Sequence, residues 1–197
     1  MPLSPPVARK QQHQRLYDFQ GYERDDGLWD IEGRITDVKP YAFPNKFRVE
    51  IQAGEALHDM SIRLTVGLDF VVKDIEAIID ESPYAICPAI TPNFRKIIGL
   101  SVGPGWRAAI RRAVGGTEGC THLVEMLGAM ATVTFQTLYP ALLKQKEAQE
   151  NAAPREKPSS PGEKKRPGII DSCHAYSAEG DVVREEWPDF YVGKNPV

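Results

Sequence analysis

Residues 60–66 read Met-Ser-Ile-Arg-Leu-Thr-Val, the clearest alternation in the chain and its tightest constraint on fold. Met60, Ile62, Leu64 and Val66 share one side of an extended strand, with Ser61, Arg63 and Thr65 on the other. A period of two describes a half-buried strand. Such a strand needs partners, and its neighbours supply them. Gly67-Leu68-Asp69 turns the chain, and 70–79 returns with Val71, Ile75, Ala77 and Ile79 apolar. Upstream, Tyr17 and Phe19 share a face, Arg24-Asp25-Asp26-Gly27 makes a turn, and 28–38 carries Trp29, Ile31 and Ile35. Asp-Gly between two alternating runs is a strong hairpin signal. With a further extended piece over 47–51, the first half is expected to be an antiparallel sheet of four or five strands.

After Ser82-Pro83 the period lengthens. Thr91-Pro92 has the form of a helix start, since Thr accepts a bond at the cap and Pro suits the first helical position. Phe94, Ile97 and Ile98 follow at helical spacing, before Gly99. A second helix is expected over 104–114, with Trp106, Ile110 and Val114 four apart and Gly115-Gly116 breaking it. Thr117 then caps a third, whose apolar side carries Leu123, Leu127, Met130, Phe135 and Leu138, and Pro140 should kink or stop it. The expected class is α+β, a sheet followed by three helices.

Around this domain, 15–143, residues 1–14 read as a flexible tail that includes His13, which is expected to be inert. Residues 144–167, made of Lys, Glu, Gln, Ala, Pro and Ser with no large apolar side chain, read as a disordered linker. Residues 168–197 are too apolar for a tail: Ile169, Ile170, Val182, Val183, Trp187, Phe190 and Tyr191 suggest a hairpin that docks back onto the domain. A chain of 197 residues that is 42% hydrophobic and 26% charged is ordinary globular material, which excludes collagen and wholesale disorder. A net charge of -3 points to neither nucleic acid nor an anionic membrane as partner. No segment reaches the roughly 20 consecutive apolar residues of a membrane span, and 1–15 lacks the apolar run of a secretory leader. The expected location is the cytoplasm, with the thiols reduced.

The chemistry-bearing residues cluster near element boundaries. Cys120 and His122 lie two apart near the start of the third helix, Cys173 and His174 are adjacent, Cys87 sits in the loop between sheet and helices, and His58 opens the alternating strand beside Asp59. Thiolate and neutral imidazole are preferred donors for zinc, and thiolate for iron–sulfur clusters. Cys87, Cys120, His122, Cys173 and His58 are therefore the candidate ligands, with zinc or iron as cofactor. Their spacing is not that of a finger or ribbon, and no Cys-x-x-Cys pair occurs. Cys120 and His122 are also the candidate catalytic pair. A thiol in the first turn of a helix is activated by the dipole and unpaired amides. Residues i and i+2 do not face each other within a helix, so a Cys–His dyad would draw its imidazole from His58 or His174 unless the first turn is irregular. Glu125 shares a helical face with His122 and is expected to orient it. The alternative for any single cysteine is core packing.

The runs Arg24-Asp25-Asp26-Gly27-Leu28-Trp29-Asp30-Ile31-Glu32-Gly33, Cys87-Pro88-Ala89-Ile90-Thr91-Pro92-Asn93-Phe94, Glu118-Gly119-Cys120-Thr121-His122-Leu123 and Asp171-Ser172-Cys173-His174-Ala175 resemble those of a bacterial family with a domain of unknown function. That resemblance implies no activity. The order of strand, return strand, cysteine-bearing loop and helices is also similar to the NifU-type iron–sulfur scaffold. In that comparison Asp59, Cys87 and Cys120 fall at or near family positions, while Leu57 stands where the first cysteine would be. The resemblance implies a cluster held by three thiolates, and the missing one favours a single zinc instead.

Three functions are carried forward: a cytoplasmic metal-binding protein, an enzyme of small-molecule catabolism using a Cys nucleophile or a metal, and a non-catalytic interaction module. The expected partner is a metal or a small molecule, and homo-oligomerisation is left open.

Overall fold

The computed structural model describes residues 3–152 and 166–193. They fall into two compact units, Met1–Ala152 and Ala153–Val197. The first unit holds six strands: β1 (Gln14–Glu23), β2 (Trp29–Val38), β3 (Phe43–Asn45), β4 (Val49–Ile51), β5 (Ala56–Val66) and β6 (Val72–Glu81). Four of them make an antiparallel sheet in the order β1-β2-β5-β6. The turn at Arg24-Asp25-Asp26-Gly27 joins β1 to β2, with Gly27 at φ 80° and Asp26 accepting the Leu28 N–H. The expected strand over 47–51 is instead part of a separate ribbon of β3 and β4. Asn45 makes that turn, its side-chain oxygen accepting the N–H groups of Phe47 and Arg48.

The alternation sets which face of the sheet is covered. Met60, Ile62, Leu64 and Val66 are buried, and Trp29, Ile31 and Ile35 join them across β2. Gly33 occupies the same inward row of β2. A Cβ there would lie 2.9 Å from the Phe19 ring and 3.2 Å from the Met126 sulfur. The missing side chain lets a helix sit close on the sheet.

Three helical segments follow β6, as expected, but the first is not an α-helix. Cys87–Ile97 is a 3-10 stretch. Pro88 and Pro92 remove backbone donors at four-residue spacing, so i→i+4 bonding does not propagate. The second segment, α1 (Trp106–Val114), buries Trp106, Ile110 and Val114 and donates the Trp106 indole N–H to the Leu127 carbonyl at 2.8 Å. The third, α2, spans Thr121–Ala152. Thr117 does not cap it; it lies in a 3-10 turn, Gly116–Glu118. The first helical bond runs from the Val124 N–H to the Cys120 carbonyl at 2.9 Å, which puts Cys120 in the cap position.

Pro140 does not stop α2, which runs through it. The residues beyond it, Ala141, Leu142, Leu143, Lys144, Gln145, Lys146 and Glu147, are strong helix formers. Residues 144–152, expected to begin a disordered linker, therefore extend the helix; 153–165 lie outside the described residues. By length and composition Thr121–Gln149 is apolar enough to cross a membrane. Its apolar side chains have another use, since Leu123, Met126, Leu127, Met130 and Leu138 are all fully buried in the core formed with the sheet.

In the second unit the expected hairpin is absent from the described residues. Two 3-10 turns, His174–Tyr176 and Pro188–Phe190, flank α3 (Asp181–Glu186). They gather around Ile170, Ala178 and Val183, with Trp187, Phe190 and Tyr191 against them. The Val182-Val183 pair is weak strand material here, because Asp181 in the first turn and Arg184-Glu185-Glu186 behind it favour a helix.

Candidate metal centre

A polar row crosses the inward face of the sheet at one end. Arg15 on β1 is the register partner of Asp37 on β2, and Asp37 is the register partner of His58 on β5. All three continue the inward rows, Asp37 after Ile31 and Ile35, and His58 before Met60. A helix laid over the sheet therefore buries Asp37 and His58 and partly covers Arg15. Asp37 is 1% exposed and its carboxylate is fully engaged. Oδ1 accepts Arg15 Nε at 2.7 Å and sits 3.0 Å from His13 Nε2. Oδ2 accepts Arg15 Nη2 at 2.7 Å and is 2.9 Å from His58 Nδ1.

The first turn of α2 supplies the other side. The His122 ring lies on the His58 ring, centroids 4.0 Å apart and tilted 39°. Cys120 Sγ is 3.8 Å from His122 Nδ1 and 3.9 Å from the Met60 sulfur. The spacing rule that separates i from i+2 holds inside a helix, whereas Cys120 precedes α2 as its cap and can turn toward His122. The one group of three metal-ligand side chains among the described residues is Asp37, His58 and His122, with one ligand atom of each within 4.8 Å of the others.

The charges are ordered by these contacts. Burial alone would raise the Asp37 carboxyl, but the Arg15 guanidinium and His58 outweigh it and hold its pKa at about 2. Burial pushes His58 down, with Asp37 opposing. Burial, then the neighbouring His58 and Arg15, push His122 down as well. At neutral pH the centre is a carboxylate beside two neutral imidazoles, the protonation state that metal binding requires. With Asp37 ionised, His58 Nδ1 carries its proton toward Oδ2, so Nε2 keeps a free lone pair.

These shifts fix an acid-sensitivity profile. The unfolded chain protonates its histidines around 6.5, while folded His58 and His122 resist until lower pH, so stability is expected to fall as pH drops below about 6.5. Asp37 adds a second loss that sets in around 3.8, is complete only below about 2, and is worth roughly 2 kcal/mol. Urea melts at several pH values should show both steps. A flat profile from pH 7 to 4 would contradict the histidine part.

Of the residues singled out in the sequence, the structure brings together His58, Cys120 and His122. Cys87 opens the 3-10 stretch and packs against the core, outside this group. Cys173 is exposed and belongs to the second unit, as does His174. Glu125 does not serve as the orienting partner expected for His122; it pairs with Arg15 at 3.1 Å. His13, expected to be inert, meets Asp37. Arg15 and Asp37, which complete the row, are not among the residues expected from the sequence.

Residues 13–136 match the family described as Protein of unknown function (DUF2889), and the chain belongs to that family. The matched segment contains the whole polar row with Cys120 and His122, and ends before the Cys173 run. No curated protein and no solved structure gives a match, so the resemblance to the iron–sulfur scaffold gains no support.

Proposed function

We propose that the first unit binds a transition metal, zinc by preference, through His58 and His122, with Asp37 fixing His58 in its binding tautomer. The observation that carries this reading is the meeting of three ligand side chains within 4.8 Å on three elements that pack together, β2, β5 and α2. Asp37 already accepts a two-pronged arginine, so it acts best as the carboxylate behind a ligating histidine. Cys120 is the natural third donor. A thiolate and an imidazole on one tetrahedral zinc lie roughly 3.6 Å apart, given bond lengths of about 2.3 and 2.0 Å, and Sγ and Nδ1 are 3.8 Å apart. Zinc bound there would polarise a ligand or a water as a Lewis acid. A cytoplasmic location and the lack of nucleic-acid or membrane partners belong to the same proposal.

The test is elemental analysis of protein purified anaerobically without a histidine tag, followed by replacement with cobalt. Near-stoichiometric zinc is expected, and the cobalt form should show a thiolate charge-transfer band that Cys120→Ser removes. Protein that holds no metal after dialysis against zinc would overturn the reading. Iron in place of zinc would overturn the choice of metal.

A second reading rests on the same Cys120–His122 contact. Here Cys120 is a nucleophile, and His122 takes its proton in an enzyme of small-molecule catabolism. It predicts pH-dependent alkylation of Cys120 faster than free cysteine, in metal-free protein. Alkylation at the rate of an ordinary thiol would remove it.

A further inference from the structure

A second feature of the first unit lies on the other side of Cys120. A cleft of about 420 Å³ opens between α1 and the start of α2, within the size range of small-molecule sites. None of Asp37, His58 and His122 lines it; Cys120 does, and is its point of contact with the metal centre.

Its walls have two characters. Ile110 and Val114 of α1 form a buried apolar floor, with Val124 of α2 beside them. Above it stand Arg107 and Arg111, one helical turn apart on α1. Among the described residues neither side chain has an ion-pair or hydrogen-bond partner. Six other arginines of this unit, Arg15, Arg24, Arg34, Arg48, Arg63 and Arg95, each hold a carboxylate. Arg9 and Arg112, also without a partner, are not part of the cleft. The Arg107 guanidinium reaches across to α2 beside Gly128, where a Cβ would lie in ordinary contact, 3.7 Å from Nη1. The acidic group in the lining, Glu125, is answered by Arg15.

We propose that this cleft binds a small organic carboxylate with an apolar body. A pair of guanidiniums with open forks matches the planar geometry of a carboxylate. The apolar floor takes the rest of the molecule, and its far end lies against the Cys120 thiol. A bare inorganic anion would use the arginines and leave the floor uncovered. The site needs no metal, so its failure and the failure of the metal reading are separable.

The experiment is calorimetric titration of the full chain, both chelator-treated and zinc-loaded, with hexanoate, cyclohexanecarboxylate and phenylacetate. Hexanamide and inorganic phosphate serve as comparisons. At least one of the carboxylates should bind, with hexanamide and phosphate at least tenfold weaker. Arg107→Gln/Arg111→Gln should weaken the carboxylate at least tenfold with an unchanged melting temperature, since both side chains are exposed. The bound carboxylate should also slow alkylation of Cys120 by iodoacetamide severalfold. The proposal is overturned if none of the three carboxylates binds, if hexanamide binds as well as hexanoate, if phosphate binds as tightly as the carboxylates, or if the double variant binds undiminished.

Discussion

Asp37→Asn is expected to cost the first unit about 3 kcal/mol, the low end for breaking a buried ion pair. The change is nearly isosteric, so packing is not what is lost. The carboxylate accepts four bonds from His13, Arg15 and His58. An amide in its place brings a second donor face to face with N–H groups and leaves the Arg15 guanidinium short of its counter-charge. Arg15 keeps Glu125 and some solvent, which is why the low end applies. For a unit of this size the loss corresponds to a fall of roughly 10 °C in Tm. Arg34→Gln is the control. Its partner Asp59 lies in the same sheet, but the Arg34 side chain is 59% exposed, so that loss should stay below about 1 kcal/mol. Equal effects of the two substitutions would mean that the buried row holds nothing together.

The second large effect is on metal. His58→Ala and His122→Ala should each weaken zinc by about a hundredfold, because a four-ligand structural site is worth roughly 10–16 kcal/mol in total, or about 3 per ligand. Asp37→Asn should cost 10- to 100-fold, as expected for a group that orients a ligand. Competition with a chromophoric chelator measures all three. Cys87→Ser is expected to leave zinc affinity unchanged, since Cys87 packs half-buried against the core, outside the ligand group. A variant set in which Cys87→Ser costs as much as His122→Ala would contradict the assignment.

Much of the sheet was legible because strand alternation is local. Met60, Ile62, Leu64 and Val66 needed only their own spacing, and the turn at Asp26-Gly27 needed only two residues. The helices were less so. The proline spacing that makes Cys87–Ile97 a 3-10 stretch, and the helix-forming run that carries α2 past Pro140, are decided by competition between neighbours. The missed members of the centre left a readable trace. Asp37 falls on the inward row that contains Trp29, Ile31 and Ile35, and a carboxylate in an apolar row must find a cation once buried. Arg15 stands in the row of Tyr17 and Phe19 for the same reason. What the sequence could not supply was the register that sets Arg15, Asp37 and His58 side by side, or the cap geometry that turns Cys120 toward His122. Both depend on contacts between residues far apart in the chain.

The most direct test of the metal centre is X-ray absorption at the zinc edge on zinc-loaded protein. The account predicts a shell with two imidazoles at about 2.0 Å and one sulfur at about 2.3 Å. The sulfur should be lost in Cys120→Ser, and the imidazole scattering reduced in His58→Ala. A shell without imidazole scattering, or one that neither substitution alters, would place the ion elsewhere and contradict the account.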